Sequence, residues 1–144
     1  MEKKDLLKDV IKHIDIKSYN STELVDAMRN MSFTSRDTAR AADILMMMCK
    51  EKECTNILTL AGSTSAAGCM QVYVDMVRNK MIDVVVATGA SIIDMDLFEA
   101  LGYKHYIGEK ENVIPDTTLR DLYIDRIYDT YIDEEELQAC DHST

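Results

Sequence analysis

The segment Asp83-Val84-Val85-Val86-Ala87-Thr88 is apolar almost without interruption. A strand with one wet face alternates polar and apolar residues; an unbroken run predicts a strand buried on both faces, as in a parallel sheet. A second short run, Ile57-Leu58-Thr59-Leu60, lies upstream. Between them, residues 66–80 place Val72, Val74, Met76 and Val77 with helical periodicity. Strand, helix, strand in that order is a βαβ unit, whose crossover is right-handed by default. The predicted class is therefore α/β: a Rossmann-like parallel sheet with flanking helices.

Helices are predicted around that unit. Leu6, Leu7, Val10, Ile11 and Ile14 form an apolar stripe over residues 2–14. Residues 20–31 carry Leu24, Val25 and Met28 behind a cap from Asn20, Ser21 or Thr22. Residues 35–52 follow, capped by Thr34 or Ser35, with Cys49 as a small core residue and one of Met46, Met47 and Met48 exposed. Ile92 to Leu101 is helical, and Asp133-Glu134-Glu135-Glu136 opens a last helix, since acids favour a first turn. After it, Gln138 to Thr144 offers no recognisable cap.

Small residues follow each strand: Ala61-Gly62-Ser63-Thr64-Ser65-Ala66-Ala67-Gly68 after the first, Thr88-Gly89-Ala90-Ser91 after the second. Both turns open helices at the carboxyl ends of parallel strands, the edge where open α/β sheets bind ligands. Unpaired N–H groups of a helix start suit a phosphate, and hydroxyls of Ser63, Thr64, Ser65, Thr88 and Ser91 could add donors. Small residues also simply permit tight turns and close packing. Neither turn is G-x-G-x-x-G or a P-loop, so spacing alone does not specify a dinucleotide. Asp94 and Asp96 would suit either a helix start or a cationic group such as an amine.

Composition narrows the partners. The formal net charge of −10 argues against nucleic acid and anionic membranes, and no apolar run reaches the roughly 20 residues of a membrane span. Residues 106–144 hold eleven acidic against three basic side chains, read as a solvated face. Cys49, Cys54, Cys69 and Cys140 form no C-x-x-C pair and the histidines are scattered, so no metal site is expected and a reducing, cytoplasmic setting fits best. The length suits one domain, residues 1–144.

Several segments, in order from about residue 20 to residue 137, resemble the deoxyhypusine synthase family. They are Leu58-Thr59-Leu60-Ala61-Gly62-Ser63 with Ala67-Gly68, then Ile82 to Ala90, Phe98-Glu99-Ala100-Leu101-Gly102-Tyr103-Lys104-His105-Tyr106-Ile107-Gly108, and Leu119 to Asp129. The wording Thr88-Gly89-Ala90 and Arg126-Ile127-Tyr128-Asp129 is closest to prokaryotic-type members. The resemblance implies NAD on a Rossmann-like sheet and homotetramers with active sites at dimer interfaces. NAD oxidises spermidine, an aminobutyl group is held as an imine on an enzyme lysine, and it passes to a lysine of the translation factor 5A precursor. Related members use other amine acceptors.

Carried over by position, Ser63, Thr64, Ser65, Thr88, Gly89 and Ala90 match NAD-contacting loops. Asp94 and Asp96 fall where the family places acidic residues near NAD and the polyamine. In eukaryotic members those acids are adjacent, whereas Met95 separates them here. The family's nucleophile lies in a segment resembling Glu-Ala-Val-Ser-Trp-Gly-Lys. This sequence has no tryptophan, and neither Lys80 nor Lys104 stands in such a motif. No catalytic residue is therefore assigned, and the chain resembles the N-terminal half of the enzyme. Three readings remain: part of a transferase working with a chain that carries the other half, a non-catalytic partner subunit, or a small NAD- or polyamine-binding module. The first two predict exposed apolar surface.

Overall fold

The computed structural model describes residues 1–108 and 113–143. The chain forms two compact units, one of Met1–Ile14, Leu60–Gln71 and Ala87–Thr144, the other of Asp15–Thr59 and Val72–Val86.

The second unit contains α2 (Thr22–Met28), α3 (Phe33–Lys50), most of β1 (Ile57–Leu60), α4 (Met70–Arg78) and β2 (Val84–Ala87). Helix α2 starts where read: the Asn20 side chain accepts the Thr22 N–H at 3.1 Å. Helix α3 begins slightly earlier than read, with Ser32 at its N-cap position.

Strands β1 and β2 pair in parallel. Buried Asn56 sets the register: its carbonyl accepts the N–H groups of Asp83 at 2.9 Å and Val84 at 3.2 Å. Its own N–H donates to Asp83 Oδ2 at 2.8 Å, and its Nδ2 to the Met81 carbonyl at 3.1 Å. Each backbone polar group at the strand entrance thus finds a partner.

Two expectations fail in this unit. Val84, Val85 and Val86 are 42%, 42% and 55% exposed, not buried on both faces. Among the described residues β2 has a strand on one side only, so it is not the interior strand that an unbroken apolar run predicts. Cys49 is exposed, and both Met46 and Met47 are exposed instead of a single methionine. Among the described residues Ala39 is the one fully buried apolar side chain here.

The first unit holds the larger core. Strands β3 (His105–Ile107), β4 (Ile124–Ile127) and β5 (Thr130–Asp133) form an antiparallel sheet in the order β3-β5-β4. Central β5 is buried on both faces. Tyr131 packs with Leu6, Leu119 and Ile124; Ile132 packs with Phe98 and Cys140. The β4–β5 turn is Tyr128-Asp129, since Ile127 pairs with Thr130. Tyr128 holds φ +54°, a conformation that Gly or Asn adopts more cheaply.

The helix expected over residues 2–14 is shortened to α1 (Lys3–Leu6). Beyond it the chain runs alongside β3: the Ile11 N–H donates to the His105 carbonyl at 2.8 Å and the Ile107 N–H to the Asp9 carbonyl at 2.7 Å. Val10 and Ile11 are β-branched and the sheet edge offers open backbone partners, so edge pairing prevails over a helical stripe.

Helix α7 (Asp116–Asp121) precedes β4, and helix α8 (Glu134–Asp141) starts as read, with Asp133 Oδ1 accepting from Glu135 N–H at 2.9 Å and Glu136 N–H at 3.3 Å. Lys3 Nζ neutralises this acidic start, at 2.6 Å from Asp133 and 2.8 Å from Glu135. Contrary to expectation its end is capped: the Ser143 hydroxyl donates to the Ala139 carbonyl at 2.9 Å. Glu109 and Glu111 of the acidic block, and Thr144, lie outside the described residues. No described helix is long and apolar enough to cross a membrane.

Two outcomes are expected. Phe98 is fully buried between β5 and α8, so Phe98→Ala should lower the unfolding free energy by about 3–5 kcal/mol, measured by urea titration. Asp125 shares a proton with Glu134: donating a hydrogen bond to Glu134, burial and the Glu134 charge push it up to about 6. A raised acid favours the fold while protonated and loses that support as pH rises through about 6. Asp125→Asn, which stays neutral, should raise the urea midpoint above pH ~7 and leave it unchanged below pH ~4.

Candidate cofactor site

Strand β1 hands over to a π-helical turn, Ser65–Cys69, that leads into α4. Strand β2 hands over to α5 (Gly89–Ser91), which continues through a π-helical stretch, Ile92–Leu97, into α6 (Phe98–Ala100). Every predicted site residue lies in one compact unit.

Hydrogen bonds tie the two turns together. The Thr88 N–H donates to the Leu60 carbonyl at 3.2 Å. The Ser91 hydroxyl, 2% exposed at the residue level, donates to the Gly62 carbonyl at 3.0 Å. Its single hydrogen is thereby used, so at the 3.0 Å contact between Thr88 Oγ1 and Ser91 Oγ the threonine is the donor. Thr88 Oγ1 also accepts the Ser91 N–H at 3.4 Å, capping the helix. Both hydroxyls therefore serve the protein's own structure.

Ser65 is buried. Thr64, Thr88, Gly89 and Ala90 are exposed and Ser63 is half-buried. Gly62 has φ +77° and a Cβ there would meet nothing within 4 Å. Gly89 is equally open. The two glycines leave room for a ligand to approach the backbone, as a pyrophosphate at a helix start requires.

Asp94 and Asp96 do not converge. Two residues apart on a helix, their side chains leave on opposing sides. Burial pushes the Asp94 carboxyl up, helped by the Asp141 charge at the end of α8. Asp96 is half-buried and its Oδ1 is buried without a hydrogen-bond partner among the described residues. An unpaired carboxylate oxygen calls for a donor, and an ammonium group fits that need. The open glycines leave room for an anion at the backbone, and the orphaned carboxylate suits a cation.

The sequence reading missed one cluster beside these turns. Glu99 Oε1 accepts from His105 Nδ1 at 2.6 Å, and Glu99 Oε2 accepts from His13 Nε2. His13 and Glu99 are 86 residues apart, and no spacing rule joins them. One cavity, about 950 Å³, lies among Asp116, Arg120, Tyr123, Asp125, Arg126 and Glu134 and includes none of the predicted site residues. A second, about 680 Å³, runs along Lys8 to Lys12 beside Ala67. Among the described residues no three His, Cys, Asp or Glu side chains are placed to hold a metal ion.

A family model described as deoxyhypusine synthase matches residues 23–144. The chain is 64% identical over 142 residues to a deoxyhypusine synthase-like protein of Caulobacter vibrioides, covering 99% of this chain and 38% of that protein. It is 57% identical over 141 residues to a deoxyhypusine synthase-like protein of Coxiella burnetii, covering 98% and 40%. To a probable deoxyhypusine synthase 2 of Methanosarcina acetivorans it is 37% identical over 129 residues, covering 90% and 36%. The chain thus spans about two fifths of the length of these relatives. With the family model spanning most of its length, the chain belongs to the deoxyhypusine synthase family.

Proposed function

We propose that this chain supplies the NAD-facing turns and one amine-binding carboxylate of a deoxyhypusine synthase-like aminobutyl transferase, and that it works with further polypeptide. The observation that carries the reading is the 3.0 Å bond from Ser91 to Gly62. It holds side by side the two turns that match the family's NAD loops, at the carboxyl ends of parallel strands.

Each group then has a task. Bound NAD would supply the hydride acceptor for oxidation at the amine-bearing carbon. The backbone N–H groups at Gly89 and Ala90, with the Ser63 and Thr64 hydroxyls, would hold its pyrophosphate. Asp96 would hold an ammonium group of spermidine. Thr88 and Ser91 fix the turns and do not bind. The imine-forming lysine comes from the segment whose motif the 144 residues lack.

The exposed Val84, Val85, Val86 and Ile57 favour this reading, or that of a non-catalytic partner subunit, over a self-sufficient binding module. Half-exposed valines forgo a good part of the roughly 1.5–3 kcal/mol that full burial of each contributes. On the wider family reading the protein is cytoplasmic, and its acceptor is the translation factor 5A precursor or another amine.

Titration with NAD and then spermidine, followed by borohydride trapping of labelled spermidine, tests this. The chain alone should trap no label. Mixed with polypeptide carrying the lysine motif, it should support trapping that Asp96→Asn weakens about tenfold in spermidine affinity, leaving NAD affinity unchanged. Label on this chain alone would overturn the assignment of the lysine to another segment. Failure of NAD to bind in either setting would sink the cofactor assignment.

A further inference from the structure

Residues 9–14 form a strap that joins two places. One edge pairs with β3 through Ile11 and Ile107. The far end meets the first turn, where the Ile14 N–H donates to the Gly68 carbonyl at 3.0 Å. Gly68 has φ +94°, and a Cβ there would lie 3.1 Å from the Lys12 carbonyl oxygen, so the strap sits directly on the turn. The turn is in its turn closed by Ala67 N–H to the Ser63 carbonyl at 3.0 Å and Cys69 N–H to the Thr64 carbonyl at 3.1 Å. Whatever holds the strap therefore bears on Ser63 and Thr64.

Few strong contacts do so. Ile14 and Val10 are both exposed, and apolar burial of the strap is slight. The one polar anchor that reaches it from the helix after the second turn is Glu99, among the described residues. The side chains of Glu99, His105 and His13 are 7%, 0% and 18% exposed. A carboxylate only accepts, so His13 Nε2 and His105 Nδ1 both carry the hydrogen. The remaining nitrogens, His13 Nδ1 and His105 Nε2, are buried with no partner among the described residues. His105 is further fixed against the Phe98 ring, centroids 5.1 Å apart. Buried groups left partly unsatisfied are costly, and their retention calls for a role.

We propose that Glu99, gripped between His13 and His105, is a positioning residue that locks the strap onto Gly68 and thereby fixes the Ser63–Ser65 turn relative to the Thr88–Ala90 turn. It touches no ligand. It sits on the continuous helix that starts at the second turn, and its His13 bond reaches the segment resting on the first. The cluster thus braces the two turns from behind, as the Ser91–Gly62 bond does in front. The ligand side of this inference rests on the proposed function; the mechanical side does not.

The brace depends on the carboxylate charge. Burial raises the Glu99 pKa, but the hydrogen bonds from His105 and His13, with their charges, outweigh it and leave the group below its ordinary 4.5. A depressed acid supports the fold above its unfolded pKa and loses that support as pH falls through the folded one. The neighbouring elements also carry Lys8 before the strap, Asp9 and Lys12 on it, Asp94 and Asp96 on the helix and Lys104 before β3. The shift on Glu99 comes from burial and the two histidines.

Amide exchange by NMR on the full chain tests it, with Glu99→Gln and His13→Asn. Protection of Ile14, Ala67 and Cys69 should fall at least about tenfold in both variants, while Leu122 and Asn79 keep theirs. In the parent chain the same three amides should lose protection as pH drops below ~4.5, and in Glu99→Gln they should be flat over that range. Unchanged protection in both variants, or an equal loss at Leu122 and Asn79, overturns the brace. Should Glu99→Gln fail to fold, His13→Asn decides, because it leaves the Glu99–His105 bond in place. NAD titration separates the two levels: a parent chain that binds NAD and a His13→Asn chain that binds it equally well, with a loosened strap, overturns the link to the turn. A parent chain that binds none refutes the cofactor assignment, and the amide result still decides the brace.

Discussion

Two backbone hydrogen bonds, from the Val84 N–H to the Asn56 carbonyl and from the Thr88 N–H to the Leu60 carbonyl, advance four residues along both strands. That equal advance is possible only if β1 and β2 run the same way, and same-direction strands end at the same edge. The two small-residue turns are neighbours for this reason. The Ser91 hydroxyl then needs only to reach the Gly62 carbonyl across that edge. Without the Asn56 and Asp83 latch at the entrance, a slip of one residue would move Thr88 off Leu60 and leave Ser91 facing a different carbonyl.

Much of this was legible in the residues. The βαβ unit followed from apolar runs bracketing a helical period, and both turns followed from their composition. The elements that were not legible failed for identifiable reasons. Val10, Ile11 and Ile14 carry a helical stripe, yet tertiary pairing with β3 draws them into an extended strap. The β4–β5 hairpin has no period of two, because Tyr131 and Ile132 are adjacent and both buried, on opposite faces of a sheet covered on both sides. Its turn is Tyr128-Asp129 and lacks the Asn-Gly or Gly signal that marks such loops. The reading of Val84–Val86 as doubly buried was sound for an interior strand, and fails because β2 has a strand on only one side among the described residues.

Within the candidate site, residue type located the turns but did not say which groups were free. Hydroxyls at Ser63, Thr64, Ser65, Thr88 and Ser91 looked equivalent in sequence. Hydrogen-bond geometry separates them: Ser65 is buried, Thr88 gives its hydroxyl hydrogen to Ser91, and Ser91 gives its own to the Gly62 carbonyl. The same holds for the aspartates. Asp94 faces the charge of Asp141, whereas Asp96 keeps a buried oxygen without a partner among the described residues. Sequence gives the inventory of a site, and only the fold shows how that inventory is used.

Those differences divide the proposed recognition by charge. At the turns Ser63, Thr64, Gly89 and Ala90 are left at least partly exposed, beside open glycines, and helix-start N–H groups with hydroxyls favour an anion. At the helix that follows, Asp96 favours a cation. A ligand pair of opposite charge, a dinucleotide and a polyamine, satisfies both without requiring either carboxylate to approach a phosphate. Because Asp94 and Asp96 leave the helix on opposing sides, one aspartate alone would serve the proposed amine, and Met95 between them is buried as packing. The separation of the two acids by one residue would then leave one carboxylate for the ligand and turn the other toward the charge of Asp141.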